Sequence, residues 1–381
     1  MKYLCLLLLA TSVVGQFEKD LYHYLSKENL SKNIIFSPVS VKIALSMVYM
    51  GAGGKTAQEI RKALTLRKDK KEVAHKYREL LTSLEGREKT TRLEVANRIY
   101  VNDRIKIVPE YNQLVKDAFR AKAEAISLDD PQKAASIINK WVKDQTQSKI
   151  NSIVTRADMS PDMQIIILNA IYFKGRWEQP FKKQNTTQGV FRTADKKSVN
   201  IRMMSQEDEF GAMFIPDLDA KVIELPYYNS NISMVIFLPE KVDGLQLLES
   251  RIGGKFPLDL PKRKVNLQLP QFSIDFSRSV EDILKKMGIK EAFSSSADFG
   301  GLVSQSSSRI SSVFQKAHIK VNEDGSEAAA ATGVRMIPTS LCITCEKQPV
   351  FEFKADHPFA FFILDKKTTY FQGHFVNPNE V

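Results

Sequence analysis

The 381-residue chain is poor in the side chains that build metal centres and disulfide frameworks: it has three cysteines, and its five histidines are scattered at 23, 75, 318, 357 and 374. No metal site and no disulfide scaffold are expected. No G-x-S-x-G elbow, H-E-x-x-H pair or P-loop occurs, so nucleophile, metal and nucleotide sets are missing. That pattern argues against an enzyme, and no cofactor is expected. The 17 glycines and 15 prolines are spread thinly, with no repeat or low-complexity linker to mark a domain break. No run reaches about eighteen consecutive apolar residues, so neither a membrane span nor a membrane partner is expected. What remains is globular: 43% hydrophobic and 26% charged, with a net charge of +11 that could attract polyanions. Nucleic acid is not an expected partner.

The N-terminus carries a different signal. Met1-Lys2, an apolar run from Tyr3 to Ala10 and small residues up to Gly15 read as a secretory signal peptide over residues 1–15, with a buried helix as the alternative. Cleavage after Gly15 would leave a secreted, extracellular chain of residues 16–381. Three N-x-Ser/Thr sequons, at Asn29, Asn185 and Asn231, are then candidate glycosylation sites. The leader also takes Cys5 with it. Cys342 and Cys345 remain, spaced C-x-x-C, either as a candidate disulfide or as two free thiols; geometry decides between them.

Apolar residues three or four apart predict helices over Thr56–Leu64, Lys71–Leu84, Gln132–Val142 and Ser279–Met287. Strand-like runs fall at Leu93–Val101, Gln164–Phe173, Ile232–Pro239, Val265–Leu269, Ser311–Val321, Phe359–Leu364 and Tyr370–Val376. Several are continuously apolar, as in strands covered on both faces. Helices cluster early and strands late, which favours α+β over a doubly wound fold.

Between Val321 and Phe351 some thirty residues lack such a signal, and loops of that length are usually functional or disordered. Propensity would make Glu327–Thr332 a short helix closed by Gly333. Read with a period of two, Ser326, Ala328, Ala330, Thr332, Val334 and Met336 form one small or apolar face. Glu327 and Arg335 lie on the other. That pattern suits a strand that could slide between neighbours, exposed in one state and paired in another.

Seven ordered motifs resemble those of the serpin family along nearly the whole mature length. They are Asn33-Ile-Ile-Phe-Ser-Pro-Val-Ser40; Met50-Gly-Ala-Gly-Gly-Lys-Thr56; Ile138-Asn-Lys-Trp-Val142 with Thr146 and Ile150; and Leu168-Asn-Ala-Ile-Tyr-Phe-Lys-Gly-Arg-Trp177 with Pro180-Phe181. Leu284 to Phe293 with Ala297-Asp298-Phe299, Asp356-His357-Pro358-Phe359, and Phe371-Gln-Gly373 with Pro378 complete the series. The resemblance implies an α+β single domain with three β-sheets, about nine helices and an exposed reactive-centre loop at about 323–350. It also implies a monomer that inhibits an extracellular serine protease. The protease's serine would attack the loop, and the cut loop would insert as a new strand while still carrying the acyl-enzyme.

In that family the scissile residue usually lies sixteen after the hinge glutamate. Counting from Glu323 gives a reactive bond Thr339–Ser340, whose small β-branched side chain suits an elastase-like pocket. Arg335–Met336 would attract a trypsin-like enzyme instead, and counting back from the C-terminal motif lands near Lys347. The implied hinge is Glu323, Gly325, Ser326, Ala328, Ala330 and Thr332. A sheet-opening cluster of Ser37, Ser40, Asn169 and Gln315 is also implied, with Gln315 where many members carry His. A non-inhibitory carrier or chaperone-like serpin is the alternative, although the small hinge residues favour inhibition. Arg61, Lys62, Arg67, Lys68, Lys70, Lys71, Lys76 and Arg78 cluster where some serpins bind glycosaminoglycans. Lys70, Lys71, Lys76 and Arg78 are the candidate polyanion patch, or else a solvated helix face. Trp141 and Trp177 read as packing residues.

Overall fold

A computed structural model describes residues 15–85, 91–252, 260–305, 308–326 and 349–380, and every structural statement below concerns these. They contain eight α-helices: α1 (Gln16–Glu28), α2 (Pro38–Gly51), α3 (Gly54–Leu64), α4 (Lys70–Leu84), α5 (Pro109–Phe119), α6 (Pro131–Gln145), α7 (Leu245–Arg251) and α8 (Glu281–Lys286). The four predicted helices correspond to α3, α4, α6 and α8. Helix α2 escapes periodicity because every residue but Lys42 is buried, leaving no polar face to mark it. Its start is nevertheless written locally: the Ser40 amide donates to the Ser37 hydroxyl at 3.3 Å, and Pro38 sits in the first turn.

The strands are β1 (Ile34–Phe36), β2 (Thr91–Asn102), β3 (Lys122–Ile126), β4 (Ile165–Arg176), β5 (Thr187–Arg192), β6 (Ser198–Ile215), β7 (Ala220–Pro226) and β8 (Ser233–Pro239). They continue with β9 (Lys262–Pro270), β10 (Phe272–Ser279), β11 (Ile310–Asn322), β12 (Gly325–Ser326), β13 (Phe351–Lys354), β14 (Phe359–Leu364) and β15 (Thr369–Phe375). A six-stranded sheet runs β10-β11-β12-β4-β2-β3, and β11 also pairs directly with β4. The nine-stranded sheet runs β1-β15-β14-β8-β7-β6-β9-β13, with β5 attached to β6. The implied third sheet is thus continuous with the second through the 18-residue β6. That strand pairs with β5 over 198–203, β9 over 203–211 and β7 over 211–215.

Strand β4 shows why the central strands read as unbroken apolar runs. Ile165, Ile167, Ile171 and Phe173 join the main core, which also holds α1 and α2. Ile166, Leu168 and Ala170 face the other way, into a second cluster beneath Ala134, Ala135, Ile138 and Val142 of α6. Both faces of β4 are therefore dry as far as Phe173. Helix α6 is started by Asp130, whose carboxylate accepts from the Lys133 amide at 3.0 Å, with Pro131 in its first turn.

The C-terminal strands are locked by Asp356. Its carbonyl accepts from the Arg192 amide at 2.8 Å, and its carboxylate takes the Arg192 guanidinium at 3.1 Å and His357 Nδ1 at 2.8 Å. Burial alone would raise this carboxyl. The hydrogen bonds from His357 and Arg192 outweigh it and hold the group down at about 2, against an ordinary 3.8. A depressed folded-state value stabilises above the ordinary pKa and is lost as pH falls through the folded one. Unfolding free energy should therefore drop by about 2 kcal/mol between pH 4 and pH 2 on account of this group. Urea titrations of Asp356→Asn beside wild type should show that acid-dependent loss shrinking by about this amount.

Candidate functional site

Strands β4 and β11 lie side by side and run parallel from Ile310 opposite Ile165 to His318 opposite Tyr172, with a bulge between Ile310 and Ser312. Beyond that point they part, and β12 fills the mouth. Gly325 lies opposite Asn322 on one side and Arg176 on the other; Ser326 lies opposite Val321 and Gly175. The two-residue strand is antiparallel to both neighbours. A tight turn delivers it: the Asn322 side-chain oxygen accepts from the Asp324 and Gly325 amides at 3.1 and 3.2 Å. Gly325 has φ +148°, and a Cβ there would lie 2.0 Å from the Gly175 carbonyl oxygen, so only glycine fits.

The mouth is lined by aromatic rings. Trp177 stacks on Tyr227 with centroids 4.7 Å apart, and Phe173 meets Tyr227 edge-on at 4.9 Å. The Tyr227 hydroxyl hydrogen-bonds that of Ser326 at 2.7 Å, with both residues buried. The Trp177 indole donates to the Asn322 carbonyl at 3.0 Å. Glu323 is buried beside this turn, its two carboxylate oxygens accepting from Thr186 at 2.6 Å and Gln271 at 2.7 Å. Burial pushes its carboxyl up, but these hydrogen bonds win and keep it below its ordinary value. The glutamate is an anchor from which the following residues depart.

Farther down, the four residues of the expected sheet-opening cluster do meet. The Gln315 side-chain amide donates to the Ser37 carbonyl at 3.0 Å, to Asn169 Oδ1 at 3.1 Å and toward the Ser40 hydroxyl at 3.3 Å. The Ser40 hydroxyl lies 2.7 Å from Asn169 Oδ1, and Asn169 Nδ2 donates to Asn97 Oδ1 at 2.7 Å. Asn97, Asn169 and Gln315 are cross-strand partners on β2, β4 and β11, forming one row of amides against the start of α2. Asn97 was not anticipated. Its signal was a polar residue on the parity that Leu93, Val95, Ile99 and Val101 keep apolar, together with its register opposite Asn169.

Of the other expected positions, Ala328, Ala330, Thr332, Arg335, Thr339, Ser340, Cys342, Cys345 and Lys347 lie outside the described residues, as does most of the leader. Ser326 is fully buried, as the first position of the small-residue parity requires. Asn185 and Asn231 are exposed, whereas the Asn29 amide donates to the Leu25 carbonyl at 2.8 Å and caps α1. The basic patch is divided. Lys70 donates to the carbonyls of Met50 and Ala52 at 3.1 and 2.6 Å, holding the end of α2, and burial lowers its pKa. Arg78 donates to the Asp117 carbonyl at 3.1 Å, while Lys71 and Lys76 stay exposed. Trp177 packs as expected and also holds the hinge turn.

Comparison with known proteins agrees with this geometry. The family Serpin (serine protease inhibitor) matches residues 12–378. Serine protease inhibitor 42Dd of Drosophila melanogaster is 45% identical over 99% of this chain and 100% of its own length. Leukocyte elastase inhibitor A of Rattus norvegicus is 34% identical over 94% and 96%. The crystal structure of Serpin48 from the insect Tenebrio molitor superposes with a TM-score of 0.86 at 32% identity, covering 95% of this chain and 96% of that one. The chain belongs to the serpin family, a family of protease inhibitors that form complexes with serine proteases and are not enzymes in general.

Removing the hub of the amide row should weaken the native state. Asn169→Ala leaves buried polar groups of Ser40, Gln315 and Asn97 short of a partner, at a cost of about 2–3 kcal/mol. The urea-unfolding midpoint should fall accordingly at unchanged slope. Gln315→His should in turn add to that midpoint a pH dependence between 5 and 8 beyond the one wild type shows.

Proposed function

We propose that the chain is a secreted, monomeric inhibitor of an extracellular serine protease that works as a suicide substrate. The observation that carries this reading is β12: Gly325 and Ser326 already occupy the gap between β4 and β11, in the direction that further insertion must follow. Each added residue would exchange one parallel pairing for two antiparallel ones, and the antiparallel ladder is the stronger. A strand of about fifteen residues would gain on the order of ten backbone hydrogen bonds at about 1 kcal/mol net each. Burying Val334 and Met336 would add roughly 1.5–3 kcal/mol per side chain. The uninserted state is thus a kinetic trap.

The bait bond in this reading is Thr339–Ser340. The protease's serine oxygen attacks the Thr339 carbonyl carbon and the bond to the Ser340 nitrogen breaks, leaving a new amino terminus at Ser340. The Thr339 acyl ester then rides with the inserting strand before water can hydrolyse it. The name of the rat relative, an elastase inhibitor, agrees with a small, β-branched Thr339. The leader, cleaved after Gly15, directs secretion, and Asn185 and Asn231 are the sequons placed to accept glycans. Exposed Lys71 and Lys76, beside Arg78, are the part of the basic patch free to meet a glycosaminoglycan.

Incubation with an elastase-like protease should give a covalent complex that survives boiling in detergent. Mass spectrometry should place the new amino terminus at Ser340. If elastase-, chymotrypsin- and trypsin-like enzymes all merely cut the chain, the inhibitory reading fails. Ser326→Arg would put a guanidinium where only the Tyr227 hydroxyl and sheet backbone wait. It should abolish the complex and turn the protein into a plain substrate, with the number of molecules consumed per protease inactivated rising more than about tenfold. That change is read by titrating residual protease activity.

A further inference from the structure

Strand β3 covers β2 only from Arg98 to Asn102, so the edge of β2 below Arg98 has no strand beside it among the described residues. A cavity of about 710 Å³ opens there, between that edge, α5 and α6. Its volume is that of a small-molecule site. Its lining is unusual in charge: Arg98, Lys116, Arg120 and Lys122 contribute four cations, and no carboxylate lines it. Arg98 is paired with Glu124 at 2.8 Å and Arg120 with Glu85, while Lys122 stands 3.9 Å from Glu124. Lys116 has no ion-pair partner among the described residues, so positive charge is left over at the cavity.

Two N–H groups of the lining residues are also unspent. Arg98 lies over the Trp141 ring, with its guanidinium carbon 4.6 Å from the centroid. The Arg98 Nε and Trp141 Nε1 atoms are both buried without an acceptor. Each such orphaned donor is costly, and an acceptor oxygen entering the cavity would relieve both once the two side chains turn toward it. Donors without acceptors, surplus cations and an uncovered strand edge have one chemistry in common.

We infer that this cavity binds a small multiply charged oxyanion, a phosphate- or sulfate-bearing molecule, and that its occupancy restrains the opening of the six-stranded sheet. The coupling runs through Asn97, which lines the cavity and accepts from Asn169 in the amide row. The binding site stands independently of the inhibitory reading; the restraint on opening rests on it.

The chain has two tryptophans, so a nitrogen-15 spectrum of the full-length protein has two indole N–H resonances, and Trp141→Phe assigns them. Inorganic pyrophosphate, adenosine diphosphate and a fully sulfated heparin disaccharide would each be titrated at constant ionic strength, with sodium chloride as control. At least one should shift the Trp141 resonance saturably while leaving that of Trp177, already bonded to Asn322. The responding probe identifies phosphate or sulfate as the source. Lys116→Gln should weaken that binding at least fivefold with an unchanged melting temperature, and Lys71→Gln should not. No saturable shift with any probe, or equal affinity in Lys116→Gln, overturns the site. Uptake of a synthetic peptide spanning 326–337 into the intact protein should slow at least threefold at saturation; an unchanged rate overturns the restraint. A peptide that is not taken up even without ligand counts against the inhibitory reading and not against the site.

Discussion

The parallel seam between β4 and β11 is the constraint around which this molecule is arranged. Two parallel neighbours cannot be joined by a tight turn. A strand that turns back off the end of β11 must run antiparallel to it, and so antiparallel to β4 as well. For a strand that comes off β11, this seam, and not the other parallel one between β2 and β3, is therefore where antiparallel partners stand on both sides at once. Asn322, Gly325 and Ser326 convert that topological fact into a structure by making the turn, tolerating the close approach to Gly175 and seating the first hydroxyl against Tyr227.

The seam is held by two opposed devices. At its mouth Tyr227, packed against Phe173 and Trp177, holds the hydroxyl of Ser326 between the two strands. Farther down, Asn97, Asn169 and Gln315 share hydrogen bonds with one another and with the first turn of α2. Buried amides cannot give up these partners without cost unless others arrive. The row therefore resists separation of β4 from β11, while at the mouth β12 already lies between them. The balance is local and polar, set in a core that is otherwise hydrocarbon.

Much of this was legible in the sequence because it follows simple periods. Amphipathic helices such as α4 and α6 announce themselves by spacing, and doubly covered strands such as β4 by length of apolar run. Ser326 opens a small-residue parity whose first position is buried as that pattern demands. Helix α2 was opaque to periodicity, being buried all round. The fusion of two sheets through β6 was opaque because a strand that changes partners along its length has no signature in its own residues. Asn97 could be placed in the amide row only once strand register was known. The division of the basic patch was hidden for a similar reason: a lysine that caps a helix, as Lys70 does, and a lysine that faces solvent are the same letter.

Strands β14 and β15 lie among the most deeply buried elements of the nine-stranded sheet, yet they follow the segment 327–348 in the chain. During synthesis the hinge thus reaches its sheet before the hairpin that completes the larger core has emerged. Contacts close in sequence form sooner than distant ones, so the arrangement sets up a race. On the inhibitory reading proposed above, a last hairpin that docks first would close the core while the six-stranded sheet still has room for a strand. If the hinge were to win, the same reading would have the chain spend its strand before any protease arrived. On that reading the order of letters, as much as their identity, would bear on the fold that is reached.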